Sequence, residues 1–486
     1  MVRRQRFVAR EVDLVKKPCY IGGKWMQSAE HVPLYSPYSG EEIALISSAD
    51  EGMVDQAIAA AQAASPLMRK MPAYRRAAIL ENISLLLNER MEEAARIIAL
   101  EAGKPIKTAR GEIIRTIQTY KFAAEEAKRI HGETIPMDAA IGGEGRLAYT
   151  VREPLGVIGA ITPFNFPFNL VAHKVGPALA AGNTVVLKPA SQTPLSALFL
   201  AEIAEQAGVP PGALNVVTGS GAVVGDRLVR DPRVKAITFT GSPAVGIDIR
   251  NRAGLKRVTL ELGSNSAVIV DRDVELDEVI PRCIFGAFAY SGQVCISVQR
   301  IYVVRERYDE FVRQFVMETG KLRGGDSLAE EADYSAMIHP KETQRALSWI
   351  QEAVEQGAKV ACGGELEGRV LQPTVLTEVP ADCKVSCQEV FGPVVLIHPI
   401  DSVQQGIDLV NDSRYGLQAG VYTNHLATAM QAAEDLQVGG VMINDIPTFR
   451  VDHMPYGGVK ESGMGREGVK YAVEELSEMK LVVMKR

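Results

Sequence analysis

The sequence has no run approaching eighteen consecutive apolar residues, so no membrane-spanning helix is expected. It also has no Cys-x-x-Cys pair. Its six cysteines (Cys19, Cys283, Cys295, Cys362, Cys383 and Cys387) are scattered over 486 residues, which excludes a small disulfide scaffold and makes reduced thiols the expectation. The two nearest, Cys383 and Cys387, have no histidine at zinc-ligand spacing, and no metal site is expected. Positive charge is in the minority: 53 Lys and Arg stand against 59 Asp and Glu, a formal net charge of −6. A general nucleic-acid binder needs a basic face, so that class is excluded. The 43 glycines follow no period of three, and no Gly-Lys-Ser/Thr closes a Walker A loop. The first ten residues are basic but lack the apolar segment of a secretory signal; they read as a solvated leader, and the protein is expected to be cytoplasmic.

What is present is the composition of a soluble globular protein with large cores, 47% hydrophobic and 23% charged. At about 150 residues per domain the length suggests roughly three units. Residues 51–131 read as helical, with Ile79, Leu80, Ile83, Leu86 and Leu87 at helical spacing. A β-prone stretch follows at 132–161. Strands are then expected at 183–187, 214–218, 236–240 and 258–262, with helices between them, including one at 195–206 ended by Gly208 and Pro210. A second alternating series runs from 267 to about 445, with helices at 276–290 and 343–355 and strands at 301–304, 420–422 and 441–444. A Gly-rich loop, a short helix and a strand at 481–484 end the chain. Strands alternating with helices imply α/β architecture, with parallel sheets covered on both faces.

Four segments carry possible chemistry, each with a bland alternative. Phe239-Thr-Gly241-Ser242-Pro243 follows a strand and opens a helix, with Ser242 at the N-cap and Pro243 at the first helical position. It reads as a pyrophosphate site or as a plain turn, and so does Gly219-Ser-Gly221-Ala-Val-Val-Gly225. Gly292-Gln-Val-Cys295 presents either a nucleophilic thiol or a small buried hydrophobe. Leu260-Glu261-Leu262-Gly263 embeds a carboxylate in an apolar strand, as a general base or as half of a structural ion pair. Thr162-Pro-Phe164-Asn165 offers an amide donor for an oxyanion, or a capped turn.

Together with Leu187-Lys-Pro-Ala190-Ser191, Glu389-Val-Phe391-Gly-Pro and Pro455-Tyr456-Gly-Gly-Val-Lys-Glu-Ser-Gly463, these segments resemble the aldehyde dehydrogenase superfamily, of the non-phosphorylating NAD(P)-dependent type, over nearly the whole chain. The resemblance implies a Rossmann-like cofactor domain (1–131 and 155–263), an α/β catalytic domain (264–457) and a small β oligomerisation element (132–154 and 475–486), assembled as a homodimer or homotetramer. It makes Cys295 the nucleophile, Asn165 an oxyanion donor and Glu261 the base that activates the hydrolytic water, with Lys174 and Glu467 on a proton path. For the cofactor it points to Thr162, Phe164, Asn165, Lys188, Ala190, Ser191, Gly221, Gly225, Phe239, Gly241, Ser242, Val245, Leu262, Glu389 and Phe391. Ser191 stands where many NAD-preferring relatives carry Glu, so a 2′-phosphate meets no repelling charge there and NADP should be tolerated as well as NAD. Ser264 departs from the family, which more often has glycine at that position.

The positions matching the substrate tunnel hold Arg115, His173, Arg450 and Tyr456, where relatives acting on hydrophobic aldehydes place apolar groups. Two Arg and a His argue for a small polar or anionic aldehyde, since Arg suits carboxylate or phosphate recognition. The tail resembles the lactaldehyde and glyceraldehyde-3-phosphate type subgroup, although Ala289 and Val294 lack the Arg that some phosphate-binding and succinate-semialdehyde members carry. A succinate-semialdehyde type is the alternative within the family, and a non-catalytic scaffold on the same fold is the alternative outside it.

Overall fold

The computed structural model describes residues 15–486; the leader expected at 1–10 lies outside the described residues. Four helices come first, Glu51–Lys70, Ala73–Glu89, Met91–Ala102 and Ile106–Ala127. Asp50 starts the first of them by accepting a hydrogen bond from the Met53 amide. Gly103, at φ 65°, ends the third. Ala77, Leu80, Ile83 and Leu87 form the buried stripe on which Ala73–Glu89 packs against Ile106–Ala127.

The helices cover an eight-stranded sheet in the order Gly463–Met464, Arg257–Glu261, Val234–Thr240, Val157–Ile161, Thr184–Lys188, Leu214–Val216, Cys19–Ile21 and Lys24–Met26. The expectation of a parallel sheet holds for the five middle strands. Both edges are antiparallel, because short pieces from the two ends of the chain close them. Val157–Ile161 and Thr184–Lys188 are buried at every position, as strands covered on both faces must be.

A second sheet has seven strands, Lys359–Cys362, Thr374–Thr377, Val394–Ile400, Arg300–Val304, Ala267–Val270, Gln418–Tyr422 and Gly440–Ile443, all parallel except at the first edge. The third sheet is antiparallel and stands apart in sequence: Ser477–Lys485 pairs with Arg146–Pro154, which pairs with Thr134–Ile135.

Two local expectations are refined. Ser242 does occupy the N-cap of Pro243–Arg252, but its hydroxyl makes no capping bond. Ser220 does cap: its side chain accepts from the Val223 amide and starts a π-helical turn over Gly221–Gly225.

Candidate active site

The Cys295 loop is held under backbone strain. After the helix Leu276–Phe288 the chain makes a tight turn in which Tyr290 and Ser291 adopt φ of 50° and 52°, a left-handed conformation unfavourable for non-glycine residues. Buried hydrogen bonds hold it there: Tyr290 Oη donates to the Ala102 carbonyl at 2.7 Å and Ser291 Oγ to that of Ser335 at 2.7 Å. Gly292 follows at φ 69°, and a Cβ there would collide with the Gly392 carbonyl. Asn165 Nδ2 donates to the Gln293 carbonyl at 3.1 Å, which sets the amide beside the thiol-bearing loop.

Cys295 is half-buried, with its Sγ 3.0 Å from the Tyr456 hydroxyl. Burial pushes its thiol up to about 11, against the pull of the Tyr456 hydrogen bond and of Arg450. Glu261 ends the strand Arg257–Glu261 with both carboxylate oxygens buried and without a hydrogen-bond partner among the described residues. Burial first, and then the neighbouring Glu467 charge, hold it well above the usual carboxylate range. Glu467 goes the other way. Burial would raise it, but Lys174 Nζ at 2.9 Å and Arg450 Nη2 at 3.0 Å hold it ionised. Lys174 also donates to Thr238 Oγ1 at 3.1 Å.

A cavity of about 340 Å³ opens from Cys295. Phe166, Phe285, Tyr290 and Ile296 form its apolar walls, and Lys104, Lys107, Arg115 and Arg450 bring four cations against the single lining carboxylate, Glu112. Of the expected substrate residues, Arg115, Arg450 and Tyr456 line this cavity. His173 does not: it is fully buried behind the wall, with Nε2 2.8 Å from Asp452 Oδ1. Arg115 grips the same carboxylate through Nε and Nη2 at 3.2 and 2.7 Å. Lys104, Lys107, Glu112 and Asp452 escaped the sequence reading. Lys107 and Glu112 had a signal, because positions 107, 108, 111, 112 and 115 form one stripe at three-and-four spacing on the helix Ile106–Ala127, leading to Arg115, whereas Lys104 precedes that helix. Asp452, two residues after Arg450, had none.

A second cavity, of about 440 Å³, lies on the other side of the thiol. It brings together Phe164, Asn165, Gly241, Ser242, Leu262, Glu389 and Phe391, and Cys295 is the one residue lining both chambers. Phe164 and Phe391 meet edge to face at 5.8 Å. A third cavity, of about 510 Å³, is lined by Ala190, Ser191, Gly219 and Ser220. Thr162, Lys188, Gly221, Gly225, Phe239 and Val245 line neither chamber. Lys188 is buried beneath the third, donating to the Pro189 carbonyl at 3.0 Å and lowered by burial to about 8. Phe239 packs its ring under Gly241, and Val245 is exposed on the helix Pro243–Arg252.

These residues fit a nicotinamide dinucleotide. Glu389 is pushed up to about 7 by burial and, among the described residues, its side chain takes one hydrogen bond, from the Ser264 amide to Oε1 at 2.8 Å, so Oε2 is left able to receive ribose hydroxyls. Gly263 has no room for a Cβ beside that carboxylate. Thr240 Oγ1, on the chamber wall, is buried without a hydrogen-bond partner among the described residues.

The model of the aldehyde dehydrogenase family matches residues 25–482. The chain belongs to this family. It is 50% identical to the 3-sulfolactaldehyde dehydrogenase of Priestia aryabhattai over 96% of this chain and 97% of the relative. Among solved structures, aldehyde dehydrogenase 21 of Physcomitrella patens, in complex with the reaction product succinate, is 42% identical with a TM-score of 0.95, covering 98% of this chain and 99% of its own. Glyceraldehyde-3-phosphate dehydrogenase of Methanocaldococcus jannaschii, complexed with NADP, is 40% identical with a TM-score of 0.91, covering 94% of this chain and 100% of its own. This aldehyde dehydrogenase is therefore an NAD(P)-dependent oxidoreductase of mixed α/β fold.

Proposed function

We propose that this aldehyde dehydrogenase oxidises a small anionic or polar aldehyde to its carboxylic acid, with NADP accepted as well as NAD. The observation that carries the reading is the position of Cys295, alone on the wall between a cation-lined chamber and one that fits the nicotinamide. The Cys295 thiolate attacks the aldehyde carbon and forms a thiohemiacetal. The Asn165 amide and the Cys295 backbone N–H receive the oxyanion. A nicotinamide held in the second chamber by Glu389 and Phe391 would supply the hydride acceptor, and loss of that hydride from the thiohemiacetal leaves a thioester on Cys295. Glu261 takes a proton from the water that hydrolyses the thioester, and its raised pKa makes it the stronger base once ionised. Lys174 and Glu467, joined at 2.9 Å, are the adjoining proton-path groups.

Each basic side chain of the chamber has a carboxylate partner (Lys104 with Glu112, Lys107 with Asp333, Arg115 with Asp452, Arg450 with Glu467), and the two partly exposed ones, Lys107 and Arg115, favour a sulfonate, carboxylate or phosphate on the substrate. The similarity to a sulfolactaldehyde dehydrogenase agrees with this, and the succinate-bound structural neighbour supports a succinate-semialdehyde type as the second reading. Three of the six sheets among the described residues, of eight, seven and three strands (the last built on Ser477–Lys485), support the division into cofactor, catalytic and oligomerisation units. The edge strand Ser477–Lys485, with Met479, Leu481 and Val483 exposed on one face, supports a homodimer or homotetramer. Location in the cytoplasm is part of the same reading.

The test follows reduced-cofactor absorbance with a panel of charged and neutral aldehydes and both cofactors. Turnover is expected with kcat/KM at least about tenfold higher for anionic aldehydes, equivalent to one added interaction of roughly 1.4 kcal/mol, and it should vanish in Cys295→Ala. Turnover surviving in that variant sinks the mechanism, and equal kcat/KM across the panel sinks the anionic substrate.

A further inference from the structure

Tyr456 was expected as a substrate contact, yet its hydroxyl faces the nucleophile. It lies 3.0 Å from Cys295 Sγ and is the only side-chain hydrogen-bond partner of that sulfur among the described residues. The ring is buried, at 2% exposure, so the hydroxyl has little freedom to turn elsewhere. At this distance the hydroxyl either donates to sulfur or accepts from it. The sulfur reacts only as a thiolate, which accepts. The surroundings favour donation as well. Arg450 Cζ stands 3.7 Å over the centroid of the Tyr456 ring, and a guanidinium on that face draws charge from the phenol and strengthens its O–H as a donor. Arg450 is fixed there by Glu467 at 3.0 Å, and Glu467 by Lys174 at 2.9 Å.

We propose that the Tyr456 hydroxyl is a catalytic hydrogen-bond donor that stabilises the Cys295 thiolate, with Arg450 as the positioning residue behind its ring. The proposal rests on reading Cys295 as the nucleophile. When the thiol ionises, its proton leaves to solvent and the phenol keeps its own. The other charges around the sulfur do not replace this donor. Glu389 and Glu261 oppose the thiolate, as burial does most of all. Lys104 and Arg115 line the same cavity but are already occupied by Glu112 and Asp452. The hydroxyl is thus the one side-chain hydrogen-bond partner of the sulfur among the described residues, and the Arg450 charge adds a pull in the same direction without a hydrogen bond.

The experiment alkylates the full-length protein, without cofactor, with iodoacetamide between about pH 6 and 10, where thiolate fraction governs the rate. In each event the thiolate forms a C–S bond and iodide leaves, and peptide mass spectrometry follows Cys295 separately from the other thiols. Tyr456→Phe is expected to slow Cys295 alkylation about 10- to 100-fold at a given pH, the worth of a hydrogen bond to a charged group, and to move the rate profile to higher pH. Exposed Cys387 should react unchanged, and buried Cys283 should stay unlabelled, which separates loss of the donor from loss of the fold. Arg450→Lys keeps a charge facing Glu467 without a planar cation over the ring, and should give a smaller slowing of the same sign in a folded protein. A wild-type rate profile for Cys295 in both variants overturns the proposal. Turnover persisting in Cys295→Ala would instead overturn the nucleophile reading beneath it.

Discussion

Glu261 ends its strand with both carboxylate oxygens buried and unbonded among the described residues, so burial first and Glu467 second oppose its ionised form. Its folded pKa stands well above the unfolded value of about 4.3. Between those two values the native state binds the extra proton, so stability falls as pH rises through that window and stays lowered above it. Glu261→Gln removes this dependence. The variant's Tm advantage over the wild type is expected to be near zero at about pH 4.5 and to grow toward alkaline pH, while acid production collapses because an amide takes no proton from water. Thermal melts across pH beside steady-state rates check both halves, and a pH-independent Tm difference would refute the raised pKa of Glu261.

Residues of this kind were legible in sequence to very different degrees. Asn165, Glu261 and Cys295 each sit in a segment that alone also reads as a turn, a buried thiol or an ion pair, and their roles were named only through the family resemblance of all the segments together. Arg450 could be named, but not its engagement with Glu467 and Tyr456, which already occupy much of the guanidinium expected to grip substrate. Nor could His173 be placed behind the wall, because its partner Asp452 lies 279 residues away.

The helix Asn169–Ala180 carries His173 and Lys174, and its orientation depends on a neighbouring element. Glu112, on Ile106–Ala127, accepts from the Phe168 and Asn169 amides at 2.9 and 3.2 Å, placing a negative charge at the positive end of that helix. Its other oxygen pairs with buried Lys104. Glu112→Gln leaves Lys104 without its counter-charge and is expected to cost about 3 kcal/mol of stability, as breaking a buried pair does. Chemical denaturation measures it; a loss under about 0.5 kcal/mol, the range of ordinary surface changes, would refute the structural role. Element positions were readable wherever periodicity was strong, as in the strand expected at 183–187 and observed at Thr184–Lys188. The two- and three-residue edge strands were not, since Gly463–Met464 is a strand only because Arg257–Glu261 offers it an edge.

On the scale of the molecule, three of the six sheets among the described residues are built from interleaved stretches of chain, and one of these unites residues 134–154 with the C-terminal strand. Met479, Leu481 and Val483 alternate along Ser477–Lys485 and are 50%, 54% and 45% exposed on one face of an edge strand. Such a surface calls for a partner. Leu481→Glu is expected to shift the protein toward monomer in size-exclusion chromatography with light scattering, with its chemistry kept at high protein concentration; an unchanged mass would place the interface elsewhere. The two alternating α/β series were readable from the sequence, whereas the antiparallel edges depend on contacts between the two ends of the chain.

The two chambers share a single wall residue, Cys295. Substitutions that reshape the aldehyde side need not disturb the dinucleotide side, and the reverse holds as well. Substrate range and cofactor choice can therefore drift independently in a lineage, provided the sulfur between them stays where it is.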